Sequence, residues 1–193
     1  MVVDLVRENG YIDLKLFDPE GLHIGIKILG VRVVGTLQEF LDIAADGDAF
    51  LAFSSNAERA FFYRLLTGRD LNLPALIHPS AVVSSEAVVK RGVHLCQGSH
   101  VAAGASVGED SILSTGALVD YDAVVGEHCF MGPSAALGQG ASMRNFSRVE
   151  DNATVTENWR IGRNAVINAG AVVKSDVEDG VVVGGGSAQP VHK

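Results

Sequence analysis

Residues 101–137 read VAAGASVGEDSILSTGALVDYDAVVGEHCFMGPSAAL, and every sixth position from Val101 is large and apolar: Val101, Val107, Leu113, Val119, Val125, Met131 and Leu137. The register extends back through Leu95, Val89 and Val83 to Ile77, and forward through Met143, Val149, Val155, Ile161 and Ile167 to Val173. Four places after each large residue comes a small one, as in Ala105, Ser111, Ala117, Ala123, Cys129, Ala135 and Ala141, with Val93, Trp159 and Val177 as exceptions. Glycines fall mostly one or three places after the large residue. A helix of 3.6 residues per turn cannot hold a six-residue register, and a two-residue alternation has no need of these glycines. Short flat strands separated by corners satisfy all three observations. Each large residue then stacks on the one three hexads later, about 4.8 Å up the axis. The pattern therefore predicts a parallel β-helix of stacked triangular coils from about Ile77 to Val177. Trp159 is expected at an inward small position. Val82, Val88, His94, His100, Ile112, Leu118, Val124, Val166 and Val172 are expected to face outward.

The first 75 residues follow different rules. Val2 to Asn9, stopped by Gly10, reads as a helix, and YIDLKLF as a strand ending at the Asp18-Pro19-Glu20-Gly21 turn. KILGVRVVG continues in short extended pieces. Thr36 can cap a helix through Leu37, Phe40, Leu41 and Ile43; AFLAF reads as a buried strand, and Ser55 can open the helix NAERAFFYRLLTG. Helices alternating with strands predict a small α/β unit with a parallel sheet, over residues 1–75, ahead of a β-helix over 76–193.

Composition narrows the function. With 15 Lys and Arg against 23 Asp and Glu, the chain has a net charge of -8 and lacks the basic footprint that phosphate backbones require, so nucleic acid is not an expected partner. Asp4, Arg7 and Glu8 interrupt the first apolar run, and no later segment approaches 18 consecutive apolar residues, which predicts a chain that neither crosses nor is anchored in a membrane. Two cysteines make neither a disulfide framework nor a metal ligand set, in keeping with a cytoplasmic location.

The order of a small α/β unit, an LIHPSA junction and a long run of hexads resembles the hexapeptide-repeat sugar acyltransferases that acetylate nucleotide-linked amino sugars or sialic acid. LFDPEG, KILGVRVVG and the closing DGVVVGGGSAQP carry the resemblance to both ends of the chain. It implies a left-handed β-helix, a partial Rossmann-like N-terminal unit that binds the nucleotide sugar, a homotrimer, and acetyl-CoA as co-substrate in a groove between adjacent β-helices, without a metal. In that family a histidine followed by an acidic residue acts as general base, removing a proton as the sugar amine or hydroxyl attacks the thioester. Here GALVDYDAVVGEHC places Tyr121 at the histidine position and Asp122 at the acid, and Phe130 stands where a second histidine is frequent. The resemblance further assigns Phe130, Asp151 and Ala169 to acetyl-CoA, and Asp18, Ser54 and Asn56 to the nucleotide sugar. Met1-Val2-Val3-Asp4 resembles the helix that follows the family's glycine-rich loop, and Ser187 and Gln189 replace a usual Pro and Lys.

Tyrosine has an ordinary pKa near 10 and is a poor base at neutral pH. His100, one coil below Leu118, is the substitute base to consider, against the plainer reading of a surface histidine. Tyr121 can equally cover an apolar interface, and Asp122 can be a solvated corner residue. His94 and His100 end consecutive hexads on different faces, so one chain cannot aim both at a single metal, which disfavours a carbonic-anhydrase-like zinc site. Two functions follow from the sequence: an acetyl-CoA-dependent sugar acetyltransferase diverged at its base, or a non-catalytic trimeric binding or scaffold protein derived from one.

Overall fold

The computed structural model describes residues 2–43, 47–184 and 186–187. From Leu76 onward the chain forms two-residue strands that recur every six residues and pair in parallel with the strand three hexads away. They build three faces of a prism, with seven, seven and five strands. The first face starts at Leu76–Ile77 and runs through His94–Leu95, Ile112–Leu113, Phe130–Met131 and Arg148–Val149. The second runs from Val82–Val83 through His100–Val101 and Leu118–Val119, and the third from Val88–Val89 through Ser106–Val107 and Val124–Val125. The stacked sheets and the repeat fit a left-handed β-helix.

The interior is the column of large residues read from the sequence, except in the first coil, where Ile77 is exposed and Val83 and Val89 are partly buried. Leu95, Val101, Val107, Leu113, Val119, Met131, Leu137, Val149, Val155, Ile161, Ile167 and Val173 are all fully buried. The small set lines the corners because the backbone there turns too tightly for more. Ser99, Ser111 and Ser147 hold inward corners by donating their hydroxyls to the carbonyls of Cys96, Gly126 and Arg144. Trp159 departs from the expectation: its side chain is not inside the prism but 37% exposed. Between Ala141 below and Val177 above, an indole does not fit the corner, although the backbone keeps its ladder bond from the Ser142 amide to the Trp159 carbonyl.

From Gly92 to Gly170 each corner places one residue in the left-handed region, three places after the large residue. Gly104, Asp110, Gly116, Asp122, His128, Ser134, Gly140, Phe146, Asn152, Asn158 and Asn164 all have φ between 54° and 74°. Glycines one place after the large residue have another cause. A Cβ at Gly126 would lie 2.8 Å from the Asn145 nitrogen and 2.9 Å from the Met143 carbonyl oxygen of the next coil.

The N-terminal unit contains α1 (Val2–Glu8), α2 (Leu37–Ile43), α3 (Asn56–Thr67) and a three-stranded sheet of β1 (Leu16–Phe17), β2 (Lys27–Ile28) and β3 (Val31–Gly35) in the order β1-β3-β2. The sheet is mixed, not wholly parallel as expected: β1 runs parallel to β3 and β2 antiparallel to it, because Leu29-Gly30 turns the chain straight back on itself. AFLAF is not a strand. Ala49 and Leu51 pack against Tyr63, Leu66 and Leu73, but among the described residues the only β-type pairing beside this stretch is an isolated bridge at Asp48, with the Ala49 amide on the Asn72 carbonyl. The helix starts are as read. Thr36 and Glu39 form a reciprocal capping box, and Ser55 accepts the Glu58 amide at 3.3 Å.

The unit covers the first face. Leu76, His94 and Ile112 are buried there, so His94 and Ile112 do not face solvent as the hexad register suggested. Helix α1 packs Leu5 and Val6 against Leu76 and Cys96. Helix α3 contributes a polar side: Asn56, Arg59 and Tyr63 are buried, whereas Phe61 is 61% exposed. Arg59 donates from Nε to the Asp110 carbonyl at 2.9 Å and from Nη2 to Asn56 Oδ1 at 3.1 Å and the Cys129 carbonyl at 3.3 Å. Its Nε is also 3.2 Å from Asp110 Oδ2, which His128 Nδ1 meets at 2.8 Å. Removing one partner of a buried pair leaves the other charge stranded, so Arg59→Ala should cost about 3–5 kcal/mol in urea denaturation. Combining Arg59→Met with Asp110→Asn should recover at least half of that loss, since asparagine also suits the left-handed position at 110.

Candidate active site

Tyr121 and Asp122 lie at the corner between the second and third faces, between Leu118–Val119 and Val124–Val125. Tyr121 is 56% exposed. Its amide is held by Asp120 Oδ1 at 2.8 Å, and its carbonyl accepts the Gly140 amide of the coil above at 2.9 Å. The backbone at this corner is therefore fixed while the phenol is free to meet another molecule. Asp122 occupies the left-handed position, with φ 56°. Its side chain folds over the coil below, into space that exists because residue 104 is glycine: a Cβ there would stand 2.1 Å from Asp122 Oδ1. His100 lies exposed on the second face, paired in register with Leu118 above and Val82 below.

The other predicted residues gather elsewhere. Phe130 is on the first face, directly below Arg148 in register. The Arg148 guanidinium stacks 4.4 Å over the Phe130 ring, pairs with Glu150 at 2.7 Å and donates to the Ser54 carbonyl at 3.3 Å. Asn56 donates its amide to the carbonyls of Phe146 and Ser147, at 3.2 and 3.4 Å. Asp151 turns the corner after this face, and its carbonyl accepts the Gly170 amide, which places the exposed Ala169 one coil above. Arg148 thus joins Ser54 and Phe130, while Asn56 meets the corner before the Arg148–Val149 strand and Asp151 and Ala169 lie at the corner after it. The sequence reading passed over Arg148 because an outward hexad position carries no signal of what will cover it.

Asp18 sits apart, at the end of β1, where its carboxylate accepts the His23 ring nitrogen at 2.8 Å and the His23 amide at 2.9 Å. Burial works against its charge, but the hydrogen bonds from His23 and the Glu20 amide outweigh it and hold the Asp18 carboxyl below the usual carboxylate range. A nucleotide sugar reaching Asp18 has to compete with His23. Backbone at Gly186–Ser187 pairs with Ala171–Val172, while Gln189 lies outside the described residues. Among the described residues no group of three or more His, Cys, Asp and Glu is placed to hold a metal ion, and no helix is long and apolar enough to cross a membrane. One chain therefore carries an exposed Tyr-Asp corner on one edge of the prism and an Arg148 cluster on its first face, against the α/β unit.

This geometry is that of the hexapeptide-repeat acyltransferases, and a family model described as "hexapeptide repeat of succinyl-transferase" matches residues 83–121. The chain superimposes over its whole length on a histidine-to-alanine variant of GDP-perosamine N-acetyltransferase from Caulobacter crescentus, solved with CoA and GDP-perosamine, with a TM-score of 0.93 and 30% identity, spanning 91% of that chain. The acetyltransferase domain of PglB from Neisseria gonorrhoeae, in complex with acetyl coenzyme A, matches 98% of the chain and 92% of its own at a TM-score of 0.92 and 26% identity. WeeI from Acinetobacter baumannii shares the fold at a TM-score of 0.62 and 21% identity, over 98% of the chain and 93% of its own. No curated protein matches at a significant level. The chain belongs to the hexapeptide-repeat family of sugar acetyltransferases.

Gly104→Ala tests the Asp122 notch. Gly116→Ala is its control, because residue 116 has nearly the same φ, 69° against 74°, but a Cβ there clears Ser134 Oγ by 3.5 Å. Both should lose about 1–2 kcal/mol from backbone strain. Gly104→Ala should lose about 1 kcal/mol more by thermal denaturation, and Asp122→Asn in the same chain should not restore it, because the amide fills the same space.

Proposed function

We propose that this protein is an acetyl-CoA-dependent acetyltransferase acting on a nucleotide-linked amino sugar, with Tyr121 and Asp122 at the position of the family's general base. The observation that carries the reading is the full-length match to a structure holding both CoA and GDP-perosamine. In this reading residues 1–75 form the nucleotide-sugar unit, and 76–193 the left-handed β-helix that binds acetyl-CoA. The sugar amine attacks the thioester carbonyl, a base takes its proton, and the CoA sulfur leaves as a thiolate that is then reprotonated. Asp122 would orient whichever group accepts the proton.

A homotrimer in the cytoplasm completes the proposal. The Tyr121 corner stands on an edge of the prism with its phenol exposed, and a cyclic arrangement would set that edge against a neighbouring copy's β-helix. Exposed Val82, Val88 and Val124 supply apolar surface for such packing. Light scattering at micromolar concentration should report three copies; a monomer would defeat this part.

General-base catalysis typically contributes about 10²- to 10⁴-fold, and a tyrosine at this corner forgoes most of it. Tyr121→His should raise acetyl transfer to GDP-perosamine at least roughly tenfold, with an apparent pKa near ~6.5 to 7.5. Asp122→Asn in that background should lower it again. A wild type already fast and unchanged by Tyr121→Phe would move the base to His100. Calorimetry with acetyl-CoA alone decides the class: no binding would leave a non-catalytic scaffold.

A further inference from the structure

His94 has a place in the fold that the proposed chemistry does not use. It stands on the first face between Leu76 and Ile112 and is 2% exposed beneath the α/β unit. Its Nδ1 is buried without a hydrogen-bond partner. The crevice beside it, lined by Phe50, Leu51, Pro74, Gly92 and Asp110, has no room for a water molecule. The fully buried Arg59 lies on the α3 side of the same interface.

We propose that the α/β unit is docked on the β-helix by an acid-labile catch, in which protonation of His94 beside Arg59 releases the unit while the β-helix stays folded. A proton on the docked ring would create a cation in a dry crevice, near a guanidinium whose charge is permanent. Apart from Arg59, the titratable groups described at this interface are Asp110 and His128 at the corners, Cys96 two residues along, Tyr63 with its partners Glu109 and Arg91, and Arg148 with Glu150. Asp110 meets Arg59 and His128 through Oδ2 and makes no hydrogen bond to His94 Nδ1.

The direction in pH follows from linkage. Burial first, and Arg59 second, push docked His94 down from 6.5 to about 4. An undocked ring takes its proton near 6.5, so docking is at full strength above that value, weakens as the pH falls through it, and levels off near 4. Asp110 acts oppositely: burial raises its carboxyl, with His128 and Arg59 pulling it back, so the docked state gains from its protonation as the pH falls. A variant that removes only the imidazole separates the two.

Hydrogen exchange of the full chain, corrected for the intrinsic pH dependence of exchange, tests the catch. Protection of α1 and α3 should fall roughly 20-fold from pH 7 to pH 5, while the stacked strands of the β-helix keep theirs. His94→Leu, which matches its neighbours Leu76 and Ile112, should abolish that fall, and His94→Gln should do the same while keeping a polar side chain. Constant protection in the wild type, an equal fall in both variants, or an equal loss in the β-helix core would overturn the proposal.

Discussion

Everything in this molecule depends on a backbone constraint repeated every six residues: the chain must turn a corner in left-handed geometry and then lie flat against the coil below. The turn admits Gly, Asn, Asp and a few others, and the flat contact admits little more than a hydrogen atom at positions such as Gly126. Once these conditions hold, the large residues have one place to go, and they stack into a continuous apolar column. Each coil hydrogen-bonds only to its neighbours, so the fold grows by repetition and its surface is a set of three faces and three edges.

On such a surface of flat faces, the corners are where side chains stand clear of the sheets. Asp122 shows how little is needed. A left-handed corner residue with glycine beneath it gains space to lay its carboxylate against the prism, one residue from an exposed phenol. The seam on the first face is built differently, from a cation. Arg148 joins Phe130, Glu150 and the Ser54 carbonyl, so a loop of the α/β unit and a face of the β-helix meet around one guanidinium.

The docking of the α/β unit joins the apolar contact of α1 to a charged contact of α3. Helix α3 buries Arg59 and Asn56 beside Ala60, Tyr63 and Leu66, and leaves Phe61 outside. The corners of a β-helix present carbonyl oxygens and left-handed polar residues, and these are what an arginine satisfies. Burial lowers the pKa of the Arg59 guanidinium, and Asp110 works against that shift. Such an arrangement is specific, and it is sensitive to any further charge introduced beside it.

The hexad register by itself determined the β-helix, its inward column and the family resemblance, because a six-residue period has few other physical explanations. Local capping chemistry at Thr36 and Ser55 likewise set where α2 and α3 begin. Where the outcome depended on what lies opposite, the sequence was silent. AFLAF is apolar enough for a strand, yet it pairs with little; Trp159 is in register, yet too large for its corner; His94 and Ile112 point outward from the coil, yet into a covering unit. The tertiary structure decided that Arg59 and Arg148 would be seams and not solvated charges, because the same side chain is costly when buried alone and stabilising only when distant carbonyls and carboxylates arrive to meet it.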